Sequence, residues 1–310
     1  MSADFRKLKS FVKIVDAGSV SRAASLLRIA QPALSQQIVA LETHFKTKLL
    51  IRSNHGIAPT EAGMVLYRHA QLLLKQMEQA KTEVATSTRS VVGHVSIGLA
   101  TYSNSASLAL PFLQEMNHLH PEIMVHINDS FGQVLSELIM SGRMDIAVIY
   151  GSGAIKGVEM TQLFREELCL VIHPYMAQPF QGSETLWVAQ LAGMKMLLPS
   201  KGHFLRRLID DSFARAQVTP HVFAEIESTA TLAAAVKEGL GATILPHSIA
   251  STTAQNSGAL IFRLKRPTIE AGVYLCISDH MPLSEPAVAA RAVLLNVVDR
   301  LSRMRNAGHA

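Results

Sequence analysis

The stretch AQPALSQQIVALE, Ala30 to Glu42, decides how the first part of this 310-residue chain folds. Apolar residues recur at helical spacing within it and just after it: Leu34, Ile38, Leu41 and Phe45. This spacing predicts a helix with one apolar face packed on a core. Pro32 marks the start of that helix, because proline is tolerated in the first turn, where its missing N–H costs nothing. Ser35, Gln36 and Gln37 lie off the apolar face, so we expect them to face water or a hydrogen-bonding ligand.

Two further helices are predicted before this stretch. FRKLKSFVKIVDAG, residues 5–18, has an apolar face and ends at Gly18, and Ser19 can cap a short helix in VSRAASLL. Two short helices with a tight connection, the second polar on its outer face, are typical of a helix-turn-helix, although any three-helix bundle can show the pattern. The following LLIRSNHGIAPT, residues 49–60, predicts a short hairpin, or wing, with Arg52 at its edge. A wing in this place favours nucleic-acid binding over a plain bundle.

The charge distribution agrees with that interpretation. Residues 1–90 carry 13 lysines and arginines against 6 aspartates and glutamates, a net charge of +7. The remaining residues carry 16 against 18, a net charge of −2. A basic first third followed by a slightly acidic remainder suggests that the amino-terminal third binds a polyanion. A basic face that is merely solvated would give the same net charge.

One long helix is predicted from Thr60 to about Ser87. Its apolar residues follow the a/d spacing of a coiled coil: Leu66, Ala70, Leu73, Met77, Ala80 and Val84. We expect a dimer seam on this stripe, formed by Leu66, Leu73, Met77 and Val84. The alternative is an amphipathic helix packed on its own domain.

The rest of the chain alternates predicted strands and helices, which indicates a doubly wound α/β body. We expect one subdomain at about 94–163 and 267–304, and a second at about 164–266. Two such subdomains joined by crossovers enclose a cleft, and ligands of these sheets bind at the carboxyl ends of strands.

Composition excludes several classes of protein. Apolar residues make up 48% of the chain, which is typical of globular proteins, yet the longest apolar runs are too short for a membrane span. The amino terminus has no apolar signal segment, so a cytoplasmic location is expected. Cys169 and Cys276 lie in strand-like apolar runs and are interpreted as buried hydrophobes rather than a redox pair. His118, His120 and His126 need not converge, so no metal site and no cofactor are expected.

Four motifs occur in a fixed order around the long helix: AASLLRIAQPALSQQIVALE, LLIRSNHGIAPTEAG, DIAVIY and EGLGATILP. In these motifs the chain resembles the LysR-type transcriptional regulators over essentially its whole length, and within them the nitrogen assimilation control proteins. No membrane partner is expected, and RNA polymerase is a further candidate partner. The resemblance implies a homodimer or homotetramer that binds promoter DNA. It implies a DNA-binding domain at 1–59, a linker and dimerisation helix at 60–87, a hinge at 88–93 and a periplasmic-binding-protein-like effector domain at 94–310.

On that resemblance the predicted helix at residues 31–43 lies in the major groove of DNA. Gln36 is the first choice for reading bases, because an amide matches the donor and acceptor of adenine. Gln31 and Ser35 are further candidates for contact with bases or phosphates, and Pro32 can add an apolar contact. Arg22, Arg28 and Arg52 are expected to hold phosphates or the minor groove and to set the register. The family has Ser or Thr where this chain has Ala30, so Gln31 is expected to cap the helix, which is a poorer choice.

Polar residues that follow predicted strands are the candidates for an effector site. Hydroxyl and amide groups at a helix start suit an anion or carboxylate, although serines there are ordinary caps. The candidates for effector binding are Ser103, Asn104, Ser105, Ser152, Ser200, His203 and Glu227.

Three rival functions stay open at this point. A regulator of the same family that needs no effector fits the same motifs. An enzyme on a binding-protein fold lacks support, because the chain has no GxSxG, HExxH or P-loop motif and no paired cysteine ligands. A non-specific architectural DNA binder explains the charge but leaves the α/β body without a role.

Overall fold

The computed structural model describes these residues: 5–53, 56–85, 91–102 and 105–307. The chain forms two compact units. The first unit comprises Met1–Val92 with the short segment Met140–Arg143, and the second comprises Gly93–Ile139 and Met144–Ala310. We call the second unit the body.

The first unit is a winged helix-turn-helix followed by one long helix. Its elements are, in chain order, α1 (Phe5–Ala17), α2 (Val20–Leu27), α3 (Gln31–Phe45), β1 (Leu50–Ser53), β2 (Gly56–Pro59) and α4 (Glu61–Ala85). Strands β1 and β2 pair antiparallel, with Arg52 opposite Ile57. The predicted helix-turn-helix, wing and long helix are therefore confirmed.

A single apolar core holds these elements together. Apolar residues of α1, α2, α3 and α4 meet there with Leu49, which precedes β1. They are at most 8% exposed: Leu8, Phe11, Ile14, Val20, Ala23, Ala24, Leu34, Ile38, Leu41, Leu49, Tyr67 and Ala70. The small Ala23 is fully buried in this core, and α2 packs against both α1 and α3. Ser19 accepts a hydrogen bond from the backbone N–H of Arg22 and caps α2, as its sequence position predicts.

Gly63 is required where α4 passes the start of the wing. A Cβ atom at this position would lie 2.0 Å from the carbonyl oxygen of Leu49. That oxygen also accepts the backbone N–H of Thr60 at 2.9 Å, so it is fixed in place. Only glycine lets α4 approach the wing this closely.

The body is an α/β structure with helices packed against a mixed sheet. Its first elements are β3 (Gly93–Ala100), α5 (Ser105–Leu119), β4 (Ile123–Ser130), α6 (Gly132–Met140), β5 (Ile146–Gly151), β6 (Val158–Ile172), β7 (Thr185–Trp187) and β8 (Lys195–Leu198). The remaining elements are α7 (Phe204–Arg215), β9 (His221–Glu225), α8 (Thr229–Lys237), β10 (Thr243–Pro246), α9 (His247–Ser257), β11 (Leu260–Lys265), β12 (Glu270–Ser278) and α10 (Glu285–Ala307).

Strand order explains how the body is divided. The main sheet runs β4-β3-β5-β12-β6-β11-β7, with β10 also paired to β6, and β8 and β9 form a separate parallel pair. Strand β3 is parallel to β4 and β5, as predicted for a doubly wound sheet, whereas β12 runs antiparallel to both β5 and β6. Helix α10 packs on α5 and β3, so the end of the chain returns to the part of the body that begins it.

Strand β6 belongs to two parts of the sheet. From Val158 to Glu167 it pairs with β12, and from Leu168 to Ile172 it pairs with β10 and β11. We call the part built on β3, β4, β5 and β12 the first half of the body, and the part built on β7 to β11 the second half.

Candidate nucleic-acid interface and candidate ligand cleft

Helix α3 presents one row of exposed side chains, which we call its outer face. The row consists of Pro32, Gln36, Val39 and Thr43, spaced four, three and four residues apart. The side of α3 that packs on the core carries Leu34, Ile38 and Leu41. The apolar side therefore fixes the orientation of the helix, and the outer face is left for contact with another molecule.

The three glutamines of α3 have different surroundings. The side chain of Gln36 is exposed and makes no hydrogen bond to another described residue. The side-chain oxygen of Gln31 accepts a hydrogen bond from Ser21 Oγ at 3.1 Å, so Gln31 is tied to α2. The side-chain oxygen of Gln37 accepts one from the buried Ser10 Oγ at 2.5 Å. The expectation that Gln37 faces outward is therefore wrong, because its amide fastens α3 to α1.

The start of α3 also differs from expectation. Ala30 occupies the N-cap position, and no side chain caps the helix there. Gln31, expected to act as the cap, is the first helical residue and bonds to Ser21 instead. Pro32 lies in the first turn, where its missing N–H leaves one fewer unsatisfied donor.

The predicted backbone-contacting arginines lie on two elements of the first unit. Arg22 is exposed on α2, and Arg28 lies directly after α2, where its backbone adopts a left-handed conformation that ends the helix. Arg52 lies in β1, and its side chain is outside the described part of the structure. Ser35 is half-buried beside the outer face of α3.

An acidic residue next to the outer face is neutralised within the unit. Lys48 Nζ lies 2.7 Å from one carboxylate oxygen of Glu42, and the backbone N–H groups of Leu49 and Leu50 donate to the other at 3.0 and 3.4 Å. Burial raises the pKa of Glu42, but these hydrogen bonds outweigh it and hold the pKa below its ordinary value. Glu42 therefore anchors the wing to α3, and Lys48 offsets its negative charge.

The predicted seam on α4 divides into two parts. Leu66 is half-buried against the core of the first unit, and Ala70 is fully buried in it. Met77 is half-buried, while Leu73 and Val84 are 43% and 81% exposed. The beginning of the apolar stripe thus serves the helix's own domain, as the alternative interpretation expected, and its later part remains exposed.

The two halves of the body meet at the carboxyl ends of β3 and β4, where the sequence predicts a ligand cleft, and we call this junction the cleft. His203, from the second half, is only 7% exposed there. Its ring meets those of Tyr102 and Phe131 edge-on, with centroids 5.3 and 5.8 Å apart. His203 Nδ1 accepts the backbone N–H of Leu205 and caps α7, so the proton of the neutral ring lies on Nε2, which is 3.5 Å from Thr101 Oγ1.

The remaining predicted effector residues lie in several places. The carboxylate of Glu227 accepts the backbone N–H of Ser200 at 3.1 Å, so these two residues are together beside His203. Ser152 is exposed after β5. Ser103 and Asn104 lie outside the described residues, and the Ser105 side chain is likewise outside them, although its backbone begins α5.

Burial and charge act on the cleft histidine in opposite directions. Burial lowers the pKa of His203, and the nearby carboxylate of Glu227 raises it, with a net shift below the ordinary value of 6.5. His203 is therefore neutral at neutral pH.

Sequence reasoning missed the residue that spans the cleft. The hydroxyl of Tyr102, which is 1% exposed, donates to the backbone carbonyl of Ile226, so the first half is bonded to the second. Burial, followed by the charge of Glu227, raises the pKa of the Tyr102 phenol well above its usual range, which keeps the donor protonated. Tyr102 lies directly before the candidate residues Ser103 and Asn104, yet nothing in its spacing reveals a partner 124 residues away.

A second link between the halves was also missed. Glu166 of β6 is buried, accepts the Tyr150 hydroxyl at 3.1 Å and accepts the backbone N–H of Ser248 at 2.8 Å. Ser248 lies in the first turn of α9, whose N-cap residue Pro246 supplies no side-chain cap, so the carboxylate stabilises the start of that helix.

The two cysteines and the possible metal ligands of the described residues show no arrangement for redox or metal chemistry. Cys169 and Cys276 are both buried and unpaired, and burial raises their pKa values to about 11 and about 12. Within residues 5–53, 56–85, 91–102 and 105–307, no group of three His, Cys, Asp or Glu side chains could hold a metal ion. No helix in that part of the chain has the length and apolar character of a membrane span.

Two family models cover this architecture. The model described as "LysR substrate binding domain" matches residues 88–299, and the model described as "Bacterial regulatory helix-turn-helix protein, lysR family" matches residues 5–64. The chain belongs to the LysR family. This LysR protein is a DNA-binding transcription regulator with an effector-binding domain, and the prediction of a regulator rather than an enzyme is confirmed.

Curated relatives agree with this assignment. The regulator is 38% identical over 295 residues, 95% of each chain, to the nitrogen assimilation regulatory protein nac of Escherichia coli (strain K12). It is 37% identical over 299 residues, 96% of each chain, to the protein of that name from Klebsiella aerogenes. The predicted similarity to nitrogen assimilation control proteins is confirmed.

Two solved full-length structures share its fold. Full-length CbnR complexed with target DNA gives a TM-score of 0.66 at 21% identity and covers 96% of this chain and 99% of that chain. A full-length OxyR variant from Pseudomonas aeruginosa gives a TM-score of 0.69 at 20% identity and covers 95% of this chain and 94% of that chain. At these identities the likeness concerns the fold.

Proposed function

We propose that this LysR regulator acts as a homo-oligomer that reads an interrupted palindrome at promoters, in the cytoplasm and beside RNA polymerase, by placing the outer face of α3 in the major groove. The observation that carries the proposal is Gln36, whose side chain is exposed at the centre of that face and has no hydrogen-bond partner among the described residues. An amide in that position can donate and accept at an adenine edge. Arg22, Arg28 and Arg52 then contact the DNA backbone and set the register.

The experiment for base reading compares two neighbouring glutamines. A cognate duplex is first selected from a randomised pool with the full-length protein. Gln36→Ala is expected to weaken binding to that duplex by about 1–3 kcal/mol and to change binding to random DNA little. Gln37→Ala is the matched control, because Gln37 is engaged with Ser10 and its loss should affect folding stability instead. Equal losses on cognate and random DNA would remove Gln36 from base reading, and a pool without enrichment would refute the proposal.

Self-association is proposed to use the exposed later part of α4. Leu73 and Val84 present apolar side chains there, and a second helix of the same kind would bury them. The body exposes two further apolar side chains three residues apart on α5, Leu110 and Leu113, which is the support for tetramers as well as dimers.

The test of the α4 seam introduces a charge. Leu73→Glu places two carboxylates in an apolar seam and should shift the sedimentation coefficient toward that of a monomer at low concentration. Val288→Glu is the control, since Val288 is exposed on α10 of the body. An unchanged sedimentation coefficient for Leu73→Glu would argue against a seam on α4.

The cleft of the body is proposed to bind a small effector of anionic character. The start of α5 at Ser105 supports an anion, because helix amino termini attract negative charge, while Ser200 and His203 offer further polar contacts. The carboxylate of Glu227 repels an anion. An anionic effector would therefore have to bind through hydrogen-bond donors of the cleft rather than through a net positive charge there. We place the boundaries of the regulatory domain at 94–310, with its subdomains as expected from the sequence.

One observation favours a regulator that needs no effector. Tyr102 and His203 already contact partners across the cleft within the protein itself. The two alternatives are separated by measuring the unfolding midpoint of the dialysed protein with and without a panel of small carboxylic acids. A concentration-dependent rise with one acid supports an effector, whereas full cognate binding and no rise with any acid supports the effector-independent alternative.

A further inference from the structure

An exposed valine lies on the outer face of α3. Val39 is 59% exposed, and it follows Pro32 by seven residues and Gln36 by three, so the three side chains share one side of the helix. The other large apolar residues near the middle of α3, Leu34, Ile38 and Leu41, are at most 8% exposed. An exposed valine does not strengthen a helix, because its helix propensity is lower than that of alanine. The position therefore suits an apolar contact outside the chain.

The surface around Val39 is open and carries little uncompensated charge. A concavity of about 270 Å³ lies beside it, between α3 and the base of the wing, with Val20, Leu50 and Ile57 in its lining. Glu42 also lines it, but its carboxylate is 2.7 Å from Lys48 Nζ. DNA that contacts this side of α3 therefore meets an apolar surface with a neutralised acid.

We propose that the side chain of Val39 contacts the C5-methyl group of a thymine in each half-site of the bound DNA. The inference rests on the proposed function, in which the outer face of α3 enters the major groove. Thymine is the base that presents a methyl group there, so an apolar contact at that point distinguishes it from cytosine. Val39 adds an apolar contact to the hydrogen bonds of Gln36 and specifies a further base pair.

The position of Val39 along α3 means that it contacts a different base from the one beside Pro32. Seven residues at ~1.5 Å rise place Val39 roughly 10 Å along the helix axis from Pro32. That distance exceeds the ~3.4 Å that separates successive bases of one strand. A thymine that contacts Val39 is therefore a different one from any base beside Pro32.

The experiment replaces thymine by deoxyuridine, which lacks only the methyl group. Each thymine of the selected cognate duplex is replaced in turn, and binding of the wild type, Val39→Ala and Val288→Ala is measured. The wild type should lose roughly fourfold in affinity at one thymine position in each half-site, about the value of one buried methyl group. Val39→Ala should bind thymine and deoxyuridine duplexes equally at that position and keep its response to Gln36-dependent positions.

Two controls keep the result interpretable. Val288 is a helical valine of the body that is 55% exposed, so Val288→Ala repeats the chemical change away from α3 and should behave as the wild type. Alanine favours helix more than valine does, so Val39→Ala should fold, and its unfolding midpoint checks this.

The possible failures are distinguishable. If Val39→Ala retains the full thymine preference at every position, or loses affinity equally for thymine and deoxyuridine duplexes, the proposal is overturned. If the wild type selects a sequence through Gln36 but responds to no deoxyuridine replacement, the valine contact alone is overturned. If the wild type selects no sequence at all, the proposed function itself fails.

Discussion

The outer face of α3 and the cleft of the body use polar side chains in opposite ways. On α3, Gln36 is exposed and unengaged by the described residues, while Gln37, one position along, is bonded inward. In the cleft, His203 and Tyr102 are both buried and bonded to the protein's own backbone. Helix α3 thus keeps polar groups available for an external molecule, whereas the cleft uses much of its polar chemistry to hold its two halves together.

A substitution at Gly63, where α4 passes the start of the wing, should have the largest effect on folding stability. Gly63→Ala places a Cβ atom 2.0 Å from the Leu49 carbonyl oxygen, so α4 and the wing must separate. We expect a loss of about 3 kcal/mol or more in the stability of the first unit, with loss of DNA binding. Thermal unfolding followed by circular dichroism, together with DNA binding, tests this.

The control for that prediction is Gly153→Ala in the body. A Cβ atom at Gly153 has no neighbouring atom within 4 Å, so that variant should unfold like the wild type. A stable, DNA-binding Gly63→Ala protein would show that the exposed face does not depend on this close approach.

Removing the hydroxyl that spans the cleft should have the next largest effect. Tyr102→Phe leaves the carbonyl of Ile226 without its donor and should destabilise the body by about 1–3 kcal/mol. The single tryptophan of the chain, Trp187, lies on β7, so its fluorescence follows unfolding of the body in urea. Tyr175→Phe is the control, because Tyr175 is 74% exposed. Equal midpoints for the two variants would mean that the cleft is not held by this bond.

A fall in pH should destabilise the body through His203, and this effect should be smaller than the two above. Burial holds the pKa of folded His203 below the ordinary value of 6.5, so the unfolded chain binds a proton more readily. The stability that His203 contributes is present above pH 6.5 and is lost as the pH falls from there toward the folded-state pKa.

The corresponding measurement uses His203→Asn, which keeps a side chain able to cap α7 but cannot titrate. Urea midpoints from Trp187 fluorescence at about pH 8 and about pH 5 should differ less for this variant than for the wild type. The same pH dependence in both proteins would assign the effect to other groups.

The smallest expected effect is that of Gln36→Ala on folding. Because the Gln36 side chain has no bonded partner among the described residues, the free energy of unfolding should change by no more than about 0.5 kcal/mol. Gln37→Ala should cost more, since it leaves the buried hydroxyl of Ser10 without its acceptor. Equal effects of the two substitutions on unfolding would remove the distinction drawn between them.

The sequence predicts the first unit well because its decisive signals are local. Leu34, Ile38 and Leu41 repeat within one helix and fix its orientation, and Ser19 caps the helix that begins next to it. The errors concern side chains whose partners lie elsewhere. Gln37 faces inward because its partner Ser10 lies 27 residues away in the chain, and Gln31 turns to Ser21 instead of capping α3.

The cleft could be predicted only in outline. Polar residues after strands indicate where a site lies, and His203, Ser200 and Glu227 do come together. Their engagement depends on pairings across the whole body, such as that of Tyr102 with Ile226, which no local spacing encodes. The mixed direction of the sheet has the same origin, because β12 reaches β5 and β6 only after the chain has completed the second half.

The continuity of strand β6 has a consequence for how the body unfolds. Since it continues without interruption from one half of the body into the other, the main sheet in each half depends on this one strand. Cutting the chain anywhere within Val158–Ile172 would remove ladder hydrogen bonds from both sides of the cut. The body should consequently melt as one cooperative block, in which neither half unfolds without the other.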